Sequence, residues 1–289
     1  MRRSRIATVV GLLILFARPA SGQQLDRVWL EPPRPTSTES DWYPRPIESL
    51  EGQIVDFDAR QLRMIVKGDE AETQVAARRV LQIEPGKVSQ LESEAVRLFD
   101  AGEYGQSLGK LPAVLKQRPP VWRQQWLTMM AATAAWKSGR SKIALELVTQ
   151  LDQRPLPPLV LAHLPIAWKN DRPNPDAISA AKTRLPESSA ATQLVAASWL
   201  LSSPDRKNAL TVLQQLKTAE RKDIAALAEV LLWRAATPPQ VNEASGAWEK
   251  RIDHLPMVLQ AGPIETLVDK LQAAGQSKRA KFLQMTNVR

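Results

Sequence analysis

The sequence predicts a mostly α-helical chain: about six helix pairs stacked in series, preceded by a small antiparallel β unit. Three observations predict it. Trp136, Trp168, Trp199 and Trp233 recur at spacings of 32, 31 and 34 residues. Ala144, Ala177, Ala209 and Ala244 follow them at spacings of 33, 32 and 35. A period in the low thirties marks helix pairs that cover one another's apolar faces. Before this array, Gly52 to Pro85 abandons the helical period for the two-residue alternation of strands.

Taken in order, the chain opens on Met1-Arg2-Arg3-Ser4-Arg5, an apolar run from Ile6 to Ala17, a break at Arg18-Pro19 and the small residues Ala20-Ser21-Gly22. This is the pattern of a secretory signal peptide, so residues 1–22 are expected to be removed on export, with the mature chain beginning near Gln23. The apolar run is shorter than the roughly 20 residues that span a bilayer. Residues 23–47 carry Pro32, Pro33, Pro35, Pro44 and Pro46 among polar residues and read as a proline-rich linker. Trp29, Trp42 and Tyr43 are unusual there, and Trp42-Tyr43 are expected to dock on the folded part.

Residues 48–86 read as the β unit. Gln53 to Phe57 is β-rich, Asp58-Ala59-Arg60 is a turn, and Leu62, Met64 and Val66 alternate with Arg63, Ile65 and Lys67. So short a unit cannot supply a stable core alone and is expected to lean on the first helices. From residue 87 to 289 the pattern is helical. The expected pairs are Ser89–Ala101 with Tyr104–Lys116, Arg123–Ser138 with Ser141–Gln153, Pro158–Trp168 with Pro175–Arg184, Ser189–Leu201 with Pro204–Thr218, Lys222–Ala235 with Pro239–Arg251, and Pro263–Ala274 with Ser277–Met285. Asn174-Pro175, Ser203-Pro204, Thr237-Pro238 and Gly262-Pro263 each place a capping residue before a first-turn proline. Pro165 fits worst and should kink or shorten its helix.

Gly102-Glu103-Tyr104 with Ser107, Gly139 with Ala144 (Ser141 standing where the aromatic would be), Gly275 with Ala280, and Pro119 together resemble the turns and terminal proline of tetratricopeptide (TPR) repeats. The resemblance implies a TPR-like α-solenoid, with small residues such as Ala144, Ala177 and Ala209 on the packed face of each second helix. The β unit resembles the SH3-like or Sm-like small barrels found beside helical repeats in exported bacterial proteins.

Composition narrows the chemistry. The 289 residues hold no Cys and two His, His163 and His254, which removes disulfides, thiolate catalysis and Cys-ligated zinc. Net charge is +9, with four arginines in the first 22 residues; the remaining excess is no concentrated nucleic-acid footprint. Phosphate-binding glycine loops, nucleophile elbows and zinc-protease motifs are absent from the sequence. Glu187-Ser188 matches the Glu-Ser pair of lytic transglycosylases but lacks the segments that should follow it, and Asp56-Phe57-Asp58 offers two carboxylates with no third ligand. His163 reads as a packed histidine and His254 as a complement to a helix C-terminus. No catalytic residue, metal or cofactor is therefore expected.

The expectation is a non-catalytic exported protein-binding or scaffolding protein of the bacterial cell envelope, in the periplasm or outer envelope. Its partner is a protein presenting an acidic segment, and no nucleic acid is expected. The alternatives are an envelope enzyme acting on cell-wall glycan and a small-ligand sensor. The candidate groove is the column Trp136-Lys137, Trp168-Lys169, Trp233-Arg234, interrupted by Leu200. The competing reading places the tryptophans in the inter-repeat core.

Overall fold

The computed structural model describes residues 25–33, 46–170, 174–186 and 189–286. The expected signal peptide, most of the linker with Trp42 and Tyr43, and the pair Glu187-Ser188 lie outside these residues. The described part holds a five-stranded sheet and twelve α-helices, and is mostly α.

The strands are β1 (Asp26–Leu30), β2 (Glu48–Phe57), β3 (Gln61–Val66), β4 (Glu72–Ala76) and β5 (Val80–Glu84), with a 3-10 turn at Ala77–Arg79 before β5. Their order is β4-β3-β2-β1-β5, and every neighbouring pair is antiparallel. β2 serves two partners: Glu48 to Gly52 pair with β1, and Gly52 to Phe57 pair with β3 across a bulge between Ile54 and Asp56. Gly52, at the changeover, tolerates no side chain, because a Cβ there would stand 2.1 Å from the Ile65 carbonyl oxygen.

β1 corrects the linker reading, since Asp26–Leu30 is an interior strand of the sheet. Five residues running straight into Pro32-Pro33 carry too little alternation to stand out in the sequence. Structure makes the strand legible through its partners. The Asp26 carboxylate accepts from the Ile54 amide of β2 at 3.0 Å and from the Gly86 amide just past β5 at 2.9 Å, tying the start of β1 to both of its neighbours.

The helices are α1 (Gln90–Asp100), α2 (Tyr104–Lys116), α3 (Val121–Lys137), α4 (Ser141–Leu151), α5 (Pro158–Ala162), α6 (Pro175–Arg184), α7 (Ala190–Leu200), α8 (Arg206–Leu216), α9 (Lys222–Trp233), α10 (Pro238–Asp253), α11 (Ala261–Ala273) and α12 (Ser277–Thr286). Among the described residues no helix is long and apolar enough to cross a membrane. Ser89, Asn174 and Ser189 cap helices through side-chain oxygens, and Thr237 forms a capping box with Gln240. Gly102, Gly139 and Gly275 have φ of 78°, 77° and 78°. Each ends its helix with the same pair of reverse bonds, as in Glu103 N–H to Leu98 O and Gly102 N–H to Phe99 O. A β-carbon would be strained at that left-handed position, so glycine is selected by the turn.

α1 packs on α2, α3 on α4, α7 on α8 and α11 on α12. The third expected pair departs from this. α5 stops at Ala162, well short of Trp168, because Pro165 lacks a donor and disfavours a helical Leu164. α5 turns instead to the sheet and to a 3-10 turn at Met257–Leu259, while α4 packs on α6 and α7. α10 packs chiefly on α11.

The sheet also finds its support elsewhere than expected. Its core of Val28, Leu30, Ile54, Phe57, Leu62, Met64, Val75 and Val80 is completed by Trp122 of α3 and Leu159 of α5. α1 reaches the same region through the buried ion pair of Glu92 with Arg123. Burial lowers the Arg123 pKa from its ordinary value, and the Glu92 carboxylate opposes that shift. Ala144 and Ala209 are wholly buried, so the small-residue face lies in the helical core.

Candidate functional site

The site is built around the chain that follows Pro165. Leu164 to Asn170 is not helical, so its backbone groups need partners from outside. Neighbouring helices supply them. Thr133 of α3 donates its hydroxyl to His163 O at 2.9 Å. The Trp199 indole N–H of α7 donates to Pro165 O at 2.7 Å. The Ala167 amide donates to Ser198 Oγ at 3.0 Å. Thr266 of α11 donates to Trp168 O at 3.0 Å.

Arg234, just past α9, binds this segment most heavily. Its Nη1 donates to Ala167 O at 2.7 Å and Ser198 O at 2.8 Å; its Nη2 donates to Ser202 Oγ at 2.9 Å and, with Nε, to Asn170 Oδ1 at 3.1 and 3.2 Å. Arg234 is only 4% exposed. The expectation that it lines a groove as a surface cation is therefore corrected. Its fork satisfies a carbonyl of α7 and one of the extended segment together, a task suited to guanidinium geometry. Trp233 is corrected likewise: it is buried, with its ring stacked on Trp248 at 4.8 Å between centroids and 8° between planes.

The other four predicted residues meet. Trp136, Lys137, Trp168 and Lys169 line one hollow of about 500 Å³, together with Trp199 and Glu265. Trp136 lies flat against Trp199, with centroids 6.1 Å apart and planes 9° apart. Lys137 Nζ sits 4.9 Å over the Trp136 ring, a cation–π contact. Lys169 Nζ lies 2.5 Å from Glu265 of α11, an exposed pair. The Trp168 indole lies on Gly262, where a Cβ would come within 2.1 Å of the ring. Trp168 and Lys169 reach the hollow from the extended segment and not from a helix end, so they hold no position equivalent to Trp136 and Lys137.

Sequence reasoning missed Gly262 and Thr266, which reach Trp168, and Glu265, which reaches Lys169; all three belong to the final pair, almost a hundred residues away. Gly262 was visible only as a residue before proline. Trp199 was visible as a member of the tryptophan series but not as a wall of the hollow.

The remaining candidates have local explanations. Asp58 Oδ1 accepts from the amides of Arg60 at 2.7 Å and Gln61 at 2.9 Å and so closes the β2–β3 turn. Asp56 pairs with Arg63 at 3.3 Å. His163 stands at the surface with its ring edge-on to Trp126, 5.3 Å between centroids. His254 follows α10, and its Nδ1 lies 2.5 Å from Lys250 O. Among the described residues, no three His, Cys, Asp or Glu side chains converge as metal ligands.

Asp152, at the end of α4, organises a second polar cluster. Its carboxylate accepts from Ser189 Oγ at 2.8 Å and the Ala191 amide at 2.9 Å and pairs with Arg221. The starts of α7 and α9 are thereby tied to α4.

No protein-family model, curated protein or solved structure matches this chain.

Proposed function

We propose that this chain is a non-catalytic, exported binding or scaffolding protein of the bacterial cell envelope, built as a TPR-like α-solenoid with an SH3-like β unit at its start. The observation that carries the binding reading is the hollow. It gathers three tryptophans and two lysines beside an extended segment that Arg234 and Thr266 hold in place. A rigidly held aromatic wall with cations at its rim suits an interface better than a reaction centre, because large aromatic residues carry much of interface energy. The lysines favour a protein partner with an acidic segment.

The solenoid reading draws on the serial packing of α1 to α4 and of α7 to α9, and on the three identical glycine caps. The SH3-like reading draws on the order β5-β1-β2-β3-β4, on the long shared β2 and on the 3-10 turn between β4 and β5. Export and periplasmic or outer-envelope placement draw on the signal-peptide pattern of residues 1–22.

The experiment is affinity capture from envelope extract. Mature wild-type chain is compared with a Lys137→Glu, Lys169→Glu double variant of unchanged melting temperature. The expected result is one reproducible protein partner, weakened by the double variant and by high salt. Equal capture by both chains at both salt levels would overturn the assignment.

A further inference from the structure

The first two helix pairs have the same cap but not the same filling. Phe99, Gly102, Tyr104 and Ser107 stand in register with Trp136, Gly139, Ser141 and Ala144, every member displaced by 37 residues. The two glycines have φ of 78° and 77° and make matching reverse hydrogen bonds. In the first pair the Tyr104 ring packs edge-on to Phe99, 5.5 Å between centroids and 79° between planes. In the second, the position of Tyr104 is taken by Ser141, whose side chain cannot reach across to Trp136. The hollow bounded by Trp136, Trp168 and Trp199 lies there, and Ser141 forms part of its wall. Ser141 is 2% exposed, and its hydroxyl oxygen has no hydrogen-bond partner. A buried hydroxyl without a partner is costly and points to a group that completes it.

We propose that this hollow receives a tyrosine side chain from the partner, set beside acidic residues, so that the partner supplies the ring that Tyr104 supplies in the first pair. The inference rests on the partner-binding reading above and names the chemistry of what binds. The tryptophan walls select an aromatic ring, which prefers edge-to-face contacts of the kind Tyr104 makes. The orphaned Ser141 hydroxyl selects a ring that carries its own hydrogen-bonding group. Lys137 and Lys169 at the rim select carboxylates next to that ring, and Glu265 on the same rim leaves the lining with a net positive charge.

The test uses the full mature chain and the blocked peptide acetyl-Glu-Asp-Tyr-Glu-Asp-amide, followed by calorimetry and by tryptophan fluorescence. Saturable binding is expected. Replacing the peptide's tyrosine by alanine should weaken it by about tenfold or more. Ser141→Tyr, which rebuilds the filling of the first pair, should abolish binding while melting no lower than wild type. Should that variant fail to fold, Ser141→Ala is the second probe: it removes only the hydroxyl and should weaken binding about three- to tenfold. Raising salt from about 50 to about 500 mM should weaken binding severalfold. The proposal is overturned if the alanine peptide binds as well as the tyrosine peptide, or if folded Ser141→Tyr binds as wild type does. A partner captured from the envelope equally by wild type and Ser141→Tyr would sink this inference and leave the binding reading standing. No binding of the tyrosine peptide, with a partner still captured through Lys137 and Lys169, would likewise overturn this inference alone.

Discussion

Replacing Arg234 by Met removes the guanidinium but keeps most of its apolar stem. Two main-chain carbonyls, Ala167 O and Ser198 O, then lose a charged donor inside the protein, and Asn170 and Ser202 lose theirs beside them. Each buried acceptor left unpaired costs about 1–3 kcal/mol. With relaxation and some water entry, the two carbonyls together should cost about 2–5 kcal/mol. A chain of this size loses about 2–4 °C of melting temperature per kcal/mol, so the expected drop is about 5–15 °C. The damage should be local first, because the same bonds hold the segment from Leu164 to Asn170 that carries Trp168. Thermal melts should be read by far-ultraviolet circular dichroism for the helices and by tryptophan fluorescence for the hollow, with the fluorescence change leading. Lys137→Met serves as the exposed comparator and should change stability by less than about 0.5 kcal/mol. An Arg234→Met chain that melts within about 1 °C of wild type would refute the claim that this residue staples the segment.

Other consequences can be checked in the same way. Gly262→Ala places a Cβ inside the Trp168 indole, so it should cost about 1–3 kcal/mol and red-shift the tryptophan emission, read by chemical denaturation and fluorescence. Ala144→Leu and Ala209→Leu overfill wholly buried positions and should each cost about 1–3 kcal/mol; melts equal to wild type would place the packed face elsewhere. The β unit should not fold as residues 25–116, because Trp122 and Leu159 close its core, but should give dispersed amide resonances as residues 25–162. Asp152→Ala leaves Arg221 and the α7 amide without their carboxylate and should cost about 3–5 kcal/mol in denaturant titration.

How far the sequence carries depends on whether the determining contacts are local. Glycine caps, the starts of α6 at Asn174-Pro175 and α10 at Thr237-Pro238, and the alternation of β3 each rest on a few adjacent residues and were readable, whereas α8 begins only at Arg206, beyond Ser203-Pro204, and α11 begins at Ala261, which leaves Gly262 inside the helix and not at its cap. The early end of α5, short of Pro165, was readable too, since Pro165 lacks an amide donor and disfavours a helical residue before it. β1 was not readable, because its strand character comes from Asp26 and from pairing with β2 and β5, which lie far along the chain. The sheet's dependence on Trp122 and Leu159 was hidden for the same reason. The tryptophan period located Trp136 and Trp168 but could not separate a hollow from a core. Equal spacing says nothing of whether a following cation meets solvent, as Lys137 does, or turns inward onto carbonyls, as Arg234 does. That difference is set by the extended segment, whose free carbonyls exist only because a helix ended early.

Site-specific photo-crosslinking in intact envelopes tests the binding assignment most directly. A photoreactive residue is placed at position 137, at position 169 and, as a control on α2, at position 116. One common protein adduct is expected from positions 137 and 169, none from 116, and that adduct should disappear when Ser141→Tyr is added. The same adducts from all three positions, or none from 137 and 169, would contradict the assignment.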